Sequence, residues 1–213
     1  MRIEYNSEAI SAPRSALPLS KAEFRVSVRE FPDGQTRTEQ VQAELGSAWS
    51  SVLGSPPTAR AISILTAHWA LETDAGRCMP GHNFAGIKAS PSAPGAQFRT
   101  VEGHGSSRRE VTARFRVYDS AEAGAHDYVH LLATRFPAAL AAAQTGDAGG
   151  FTHALARGGY FTADPATYAA GLEQRLHALE TGAPLNPTRP PGALAQMALE
   201  GVLGALRERA DDA

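Results

Sequence analysis

Residues 69–89 read WALETDAGRCMPGHNFAGIKA. Upstream, from Ala59, the apolar residues Ala61, Ile62, Ile64, Leu65, Ala67, Trp69 and Leu71 follow one another almost without a break. Such a run has the composition of a helix buried on nearly all sides, and it predicts a central helix over 59–73. Glu72 closes the run, and a loop punctuated by Gly76, Pro80, Gly81 and Gly86 begins at once. A carboxyl group at the end of a rigid helix, in partly apolar surroundings, has its charged form disfavoured. A Glu so placed is suited to hold a proton near neutral pH and donate it to a leaving oxygen.

The segments around this centre have legible patterns. Val41, Leu45, Trp49, Val52 and Leu53 recur at helical spacing from about Glu39 to Leu53, and Gly54-Ser55-Pro56-Pro57 stops that helix. Thr58 is then the candidate N-cap of the central helix. Gln97–Val101 and Val111–Val117 read as two short strands joined around Gly103-His104-Gly105, which makes a hairpin. Helices follow at about 120–134 and 148–157. Asp164-Pro165 supplies an N-cap with proline at the first helical position, opening a helix to about Glu180. Three regions result: a polar arm over 1–38 with strand-like alternation at Phe24, Val26 and Val28, a body over 39–182, and a C-terminal region over 183–213. Four prolines between Gly182 and Gly192 mark a linker, and Ala193–Arg209 carries an amphipathic helix pattern. A lone strand or a single amphipathic helix needs a surface to cover its apolar face, so at least one appendage is expected to dock.

Four ordered motifs carry a resemblance to a known family. ALET (residues 70–73) followed by Asn83 and then Gly86-Ile87-Lys88 is the first pair. Thr100-Val101-Glu102 and Ala113-Arg114-Phe115-Arg116-Val117-Tyr118-Asp119-Ser120 come next. Gly159-Tyr160-Phe161-Thr162-Ala163-Asp164-Pro165 with Tyr168-Ala169 closes the series. Together they resemble the N-acetylglucosaminidases of glycoside hydrolase family 73, which include flagellar rod-associated hydrolases and many autolysins. Asp74-Ala75 stands where the family has an aromatic, Phe84-Ala85 stands where it has Leu-Phe, and Ala163 is an extra residue in the closing motif.

The resemblance implies an α+β fold: a mainly helical, lysozyme-like domain with a small β-hairpin lobe. It implies a peptidoglycan hydrolase that cuts the β-1,4 bond after N-acetylglucosamine in glycan strands. Glu72 corresponds to the general acid, Glu102 to a second carboxylate, and Tyr160 to a tyrosine lining the cleft. Glycoside hydrolysis commonly uses two carboxylates, and Glu110 on the partner strand is the rival to Glu102. Asn83, Phe84 and Tyr118 are the expected substrate-side residues, Asn83 by pinning the loop and Phe84 by offering a ring for sugar stacking. Tyr168 reads as core. A muramidase or lytic transglycosylase of the same fold, or a non-catalytic wall-binding module, are the alternatives.

Other chemistries find less support. His126 and His130 are four apart on a helix, but no Glu follows His126 as a metalloprotease motif requires, and neither metal nor cofactor is expected. Cys78 with His82 or His104 lacks a third orienting residue for nucleophilic catalysis. As the single cysteine it forms no intrachain disulfide. A net charge of −2 offers no attraction to nucleic acid, and no apolar run reaches the length of about 18 residues that membrane insertion needs. Met1-Arg2-Ile3-Glu4-Tyr5 does not look like a secretory signal. Action in the periplasm or wall is therefore expected to follow export by a dedicated secretion system or release by lysis, as for an antibacterial effector or a phage lysin. An effector implies an immunity protein or a component of a delivery machine as partner.

Overall fold

The computed structural model describes residues 37–185, apart from 78, 91–93, 103–108 and 162. The strand expected near 24–28, the helix expected over 193–209 and the hairpin tip lie outside the described residues.

Helix α1 (Arg37–Leu53) buries Val41, Leu45, Ala48 and Trp49 along one stripe. Helix α2 (Ala59–Thr73) is the central one: every residue from Ile64 to Thr73 is buried, as its nearly continuous apolar sequence predicts. The Thr58 side chain caps it by accepting from the Ala61 N–H at 3.1 Å. The same hydroxyl donates to the carbonyl of Gln144, which ties the start of α2 to the end of the helix over 137–145. Its other end is abrupt. Asp74, Ala75 and Gly76 take three successive left-handed conformations, with φ of 54°, 52° and 82°. The chain therefore leaves the helix directly after Glu72 and Thr73. Gly76 is required there, because a Cβ would lie 2.9 Å from the Trp69 ring and 2.8 Å from the Arg37 guanidinium.

A short 3-10 turn (Pro80–His82) leads into the motif loop. Strands β1 (Gly95–Glu102) and β2 (Arg109–Arg116) then pair antiparallel, in register from Gly95 opposite Arg116 to Glu102 opposite Arg109. Residues 87–89 run along the base of β2: Arg116 N–H donates to Ile87 O at 2.9 Å and Ala89 N–H to Arg114 O at 3.0 Å. The motif loop and the hairpin are thus one hydrogen-bonded unit.

Four helices complete the body: α3 (Ala121–Arg135), α4 (Pro137–Thr145), α5 (Ala148–Arg157) and α6 (Pro165–Thr181). Ser120, Asp147 and Asp164 cap α3, α5 and α6 with side-chain oxygens on backbone N–H groups. Helix α4 is an addition to the elements that the sequence pattern predicts. It opens with Pro137 and ends at left-handed Gly146, but Ala139, Leu140 and Ala143 are its only buried anchors, too few to show a period. Helices α4 and α6 pack on α2, and α3 packs on α1. Gly124 lets α3 approach the motif loop, since a Cβ there would run into the His82 carbonyl oxygen. The result is a mainly helical α+β body with one small hairpin.

Candidate active site

Glu72 sits on the last turn of α2 with its side chain 1% exposed. One carboxyl oxygen, Oε1, accepts a hydrogen bond from the Tyr168 hydroxyl at 2.5 Å. The other, Oε2, is buried and has no hydrogen-bond partner among the described residues. Buried polar atoms without partners are uncommon, and each calls for a reason. The Tyr160 hydroxyl is a second such atom. Its ring is fully buried, tilted against His68 and edge-on to Phe136, with centroids 5.1 Å apart in both cases. Burial, and next the nearby Glu72 charge, push this phenol well above its ordinary range, so it stays a hydrogen-bond donor at any working pH. An acid oxygen and a phenol donor, both buried, are thus left without partners among the described residues.

Tyr168 is in the core, as expected, and it is also the direct partner of the acid. Pro165 at the first turn of α6 sets the start of the helix, and Tyr168 N–H bonds back to Asp164 O at 3.0 Å. Its hydroxyl also lies 2.7 Å from His68 Nε2, and His68 Nδ1 lies 2.5 Å from the Tyr128 hydroxyl. Sequence reasoning missed His68 and Tyr128. His68 had a usable signal, since it is four residues before Glu72 and therefore on the same helix face. Tyr128 had none, because it meets His68 across 60 residues of chain.

Charge is managed around the helix end. Asp74 takes a two-point bond from Arg77, at 2.6 and 2.8 Å. Asp74 is one of the two residues, with Ala75, that stand where the family pattern has an aromatic. Arg175 on α6 is buried and donates to Gly171 O at 2.9 Å. Burial lowers its guanidinium pKa, against the opposing pull of Asp74 and Glu72. A separate cavity of about 260 Å³ lies against the end of α6, between Gln174 and Leu185, and Glu72 does not line it.

The expected substrate-side residues occupy different settings. Asn83 is fully buried; its Nδ2 donates to Ile87 O at 2.9 Å and Arg116 O at 3.0 Å, and its Oδ1 accepts from Ile87 N–H at 2.8 Å. With its amide engaged by backbone at both ends, Asn83 pins the motif loop to β2, so any effect on sugar binding runs through the loop's shape. Phe84 is 1% exposed and its ring lies against Trp69, with centroids 6.4 Å apart. It presents no open face for stacking. Tyr118 is partly buried and donates to Asp127, which also takes Arg116 Nη1 at 2.7 Å. Burial first, then Asp127, push the Tyr118 phenol upward. That cluster ties the hairpin base to α3.

Glu102 and Glu110 both lie on the hairpin. In register, Glu102 is paired with Arg109 and Glu110 with Val101. His126 and His130 stack with ring centroids 6.5 Å apart. Among the described residues no three His, Cys, Asp or Glu side chains gather as a metal site would need. Cys78 lies outside the described residues.

Comparison with known proteins bears on this geometry. No curated protein matches the chain in sequence. Among solved structures, a C-terminally truncated glycoside hydrolase domain of Salmonella typhimurium FlgJ is 28% identical, with a TM-score of 0.50, covering 68% of this chain and 96% of that one. A mutant peptidoglycan hydrolase of Sphingomonas sp. A1 is 27% identical, with a TM-score of 0.52, covering 79% and 97%. The catalytic domain of the Listeria monocytogenes autolysin Auto is 21% identical with a TM-score of 0.51, covering 78% and 97%, and speaks for the fold alone. The family model described as mannosyl-glycoprotein endo-beta-N-acetylglucosaminidase matches residues 58–181, from the cap of α2 to the end of α6. The match encloses Glu72, the hairpin and both tyrosines, and the chain belongs to the glucosaminidase family, the glycoside hydrolases of family 73.

Proposed function

We propose that this glycoside hydrolase cleaves peptidoglycan glycan strands at the β-1,4 bond after N-acetylglucosamine, with Glu72 as general acid. The observation that carries the reading is the division of labour at the Glu72 carboxyl. Oε1 is held by Tyr168, and buried Oε2 has no hydrogen-bond partner among the described residues. A leaving glycosidic oxygen would be that partner, taking the proton from Oε2 as the bond to the sugar breaks. Tyr160, with its unspent hydroxyl, is suited to hydrogen-bond the acetamido group of the same sugar. Peptidoglycan as substrate is supported by the Sphingomonas hydrolase, which is named for that activity and is 27% identical.

With Glu110 on the partner strand as its rival, Glu102 is the second carboxylate in this reading, at the position that the family's motif assigns to it. Its distance from Glu72 then sets the stereochemistry, with a water-sized gap giving inversion and a closer approach giving retention. The substrate places the work in the periplasm or cell wall. A role as secreted effector or phage lysin adds a partner, an immunity protein blocking the cleft or a component of the delivery machine.

The test is a digest of purified sacculi followed by mass spectrometry of the released, reduced muropeptides. N-acetylglucosamine at the new reducing end is the expected product. N-acetylmuramic acid there would make the protein a muramidase, an anhydro end a lytic transglycosylase, and absence of any release a wall-binding module. Each of the last three outcomes overturns the proposal.

A further inference from the structure

Tyr168 stands between two groups, His68 Nε2 at 2.7 Å and Glu72 Oε1 at 2.5 Å, and its hydroxyl has one proton. It donates to one of them and accepts from the other. With His68 neutral, two self-consistent orders exist. In the first, His68 carries its proton on Nε2 and donates to Tyr168, which donates to Glu72 Oε1. In the second, His68 carries its proton on Nδ1, Tyr168 donates to Nε2, and Glu72 must hold its own proton on Oε1, aimed at Tyr168. The tautomer of one imidazole therefore selects which oxygen of the acid carries the proton.

Tyr128 breaks the symmetry between the two orders. Its ring is fully buried, and His68 Nδ1 at 2.5 Å is the one hydrogen-bond partner of its hydroxyl among the described residues. If Nδ1 is bare, the Tyr128 proton has an acceptor. If Nδ1 carries the proton, the Tyr128 hydroxyl proton is buried with none, which costs more than an unfilled lone pair. Burial, the largest influence on both phenols, keeps them protonated, so neither can escape the conflict by ionising. The imidazole is also fixed in place. It is fully buried, stacked on Tyr128 with centroids 5.8 Å apart and met edge-on by Phe151 at 5.2 Å.

We propose that His68 is a positioning residue: held as the Nε2–H tautomer by Tyr128, it obliges Tyr168 to donate to Glu72 Oε1 and so leaves the transferable proton on Oε2. The proposal rests on the reading of Glu72 as the acid. In the act of transfer the proton leaves Oε2, and the carboxylate that remains already has a donor on its other oxygen. That donor is strengthened by the His68 N–H behind it, since hydrogen bonds in a chain polarise one another. The charged and titratable groups facing this array are Tyr168 and Arg175 from α6, Tyr128 from α3 and Tyr160 from the segment after α5.

The experiment joins spectroscopy to kinetics on the full chain. Side-chain ¹⁵N NMR of His68 in the unaltered protein is expected to show protonated Nε2 and bare Nδ1, and Tyr128→Phe is expected to weaken that preference. His68→Leu is expected to lower kcat about ten- to hundredfold, the span that one hydrogen bond to a charged group supports, with KM unchanged. His68→Gln, whose amide can donate to Tyr168 while its oxygen accepts from Tyr128, is expected to recover most of that loss. A protonated Nδ1 in the parent, or an unchanged kcat in His68→Leu, overturns the proposal. Should His68→Leu not fold, the tautomer of the unaltered protein decides. Glu72→Gln run alongside separates the two readings. If that variant still cuts, the assignment of the acid falls; if it is inactive while His68→Leu is fully active, only the role of His68 falls.

Discussion

Replacing Tyr168 by Phe removes one oxygen and leaves the ring, which stacks on Phe161 at a centroid distance of 3.8 Å. No cavity of consequence opens, so the effect isolates the hydroxyl. That hydroxyl serves two groups, both essentially without solvent: Glu72 Oε1 at 2.5 Å and His68 Nε2 at 2.7 Å, with side-chain exposures of 1% and 0%. Each loses a partner that water is not there to replace, at roughly 1–3 kcal/mol per orphaned buried group, less whatever His68 Nε2 and Glu72 Oε1, 3.4 Å apart, regain from each other. Because the two share one network, their losses do not add in full. A destabilisation of about 2–4 kcal/mol follows, which for a domain of this size is a fall in Tm of roughly 5–15 °C. The catalytic effect is separate. The carboxylate formed when Glu72 gives up its proton loses its donor, and kcat is expected to fall about ten- to hundredfold with KM little changed. Differential scanning fluorimetry reads the first quantity and clearing of a sacculus suspension the second, both below the variant's Tm. A Tyr168→Phe protein as stable and as active as its parent would refute the network, because a phenol so buried and so bonded has no cost-free way to disappear.

Three further outcomes follow from the same contacts. Gly124→Ala places a Cβ against the His82 carbonyl, and it is expected to destabilise by about 1–3 kcal/mol and to disturb the motif loop, read as a lower Tm and shifted amide signals at His82–Phe84. Asn83→Ala leaves the Ile87 N–H without the acceptor it has at 2.8 Å, and faster hydrogen exchange at that amide is expected together with reduced activity. Asp164 caps α6 through Thr167 N–H, and this bond holds its carboxyl below the ordinary Asp range. The cap's contribution is therefore present above that range and is lost as pH falls through the depressed value. Asp164→Asn keeps an acceptor that does not titrate, so its Tm should fall less than the parent's on acidification below about pH 4.

What could be read from the sequence was local, and what could not was tertiary. Helix α2 was legible because its apolar run, its Thr58 cap and its break at Asp74–Gly76 are all within a few residues of one another. The hairpin was legible because Phe115 alternates with Arg114 and Arg116. Helix α4 was not, since alanines fill its core positions and Leu140 is its one large buried side chain. Glu72 stood out through its motif, and Asn83 through the loop that it was expected to pin. The partners that give Glu72 its character were hidden. Tyr168 is 96 residues away along the chain, and Tyr128 reaches the site only through His68. Phe84 shows the limit of reading an aromatic by type: a ring beside a cleft motif can serve a sugar or the core, and here Trp69 takes it.

The role of Glu72 is tested most directly by the kcat of Glu72→Gln on purified sacculi, measured beside its circular dichroism and Tm. Gln keeps an oxygen to accept from Tyr168 at the position of Oε1, so the fold should be retained, while the amide nitrogen at the position of Oε2 has no acidic proton to transfer. A loss of about 10²–10⁴-fold in kcat with an unchanged fold is expected. Retention of more than a few per cent of the parent's activity by a well-folded Glu72→Gln would contradict it.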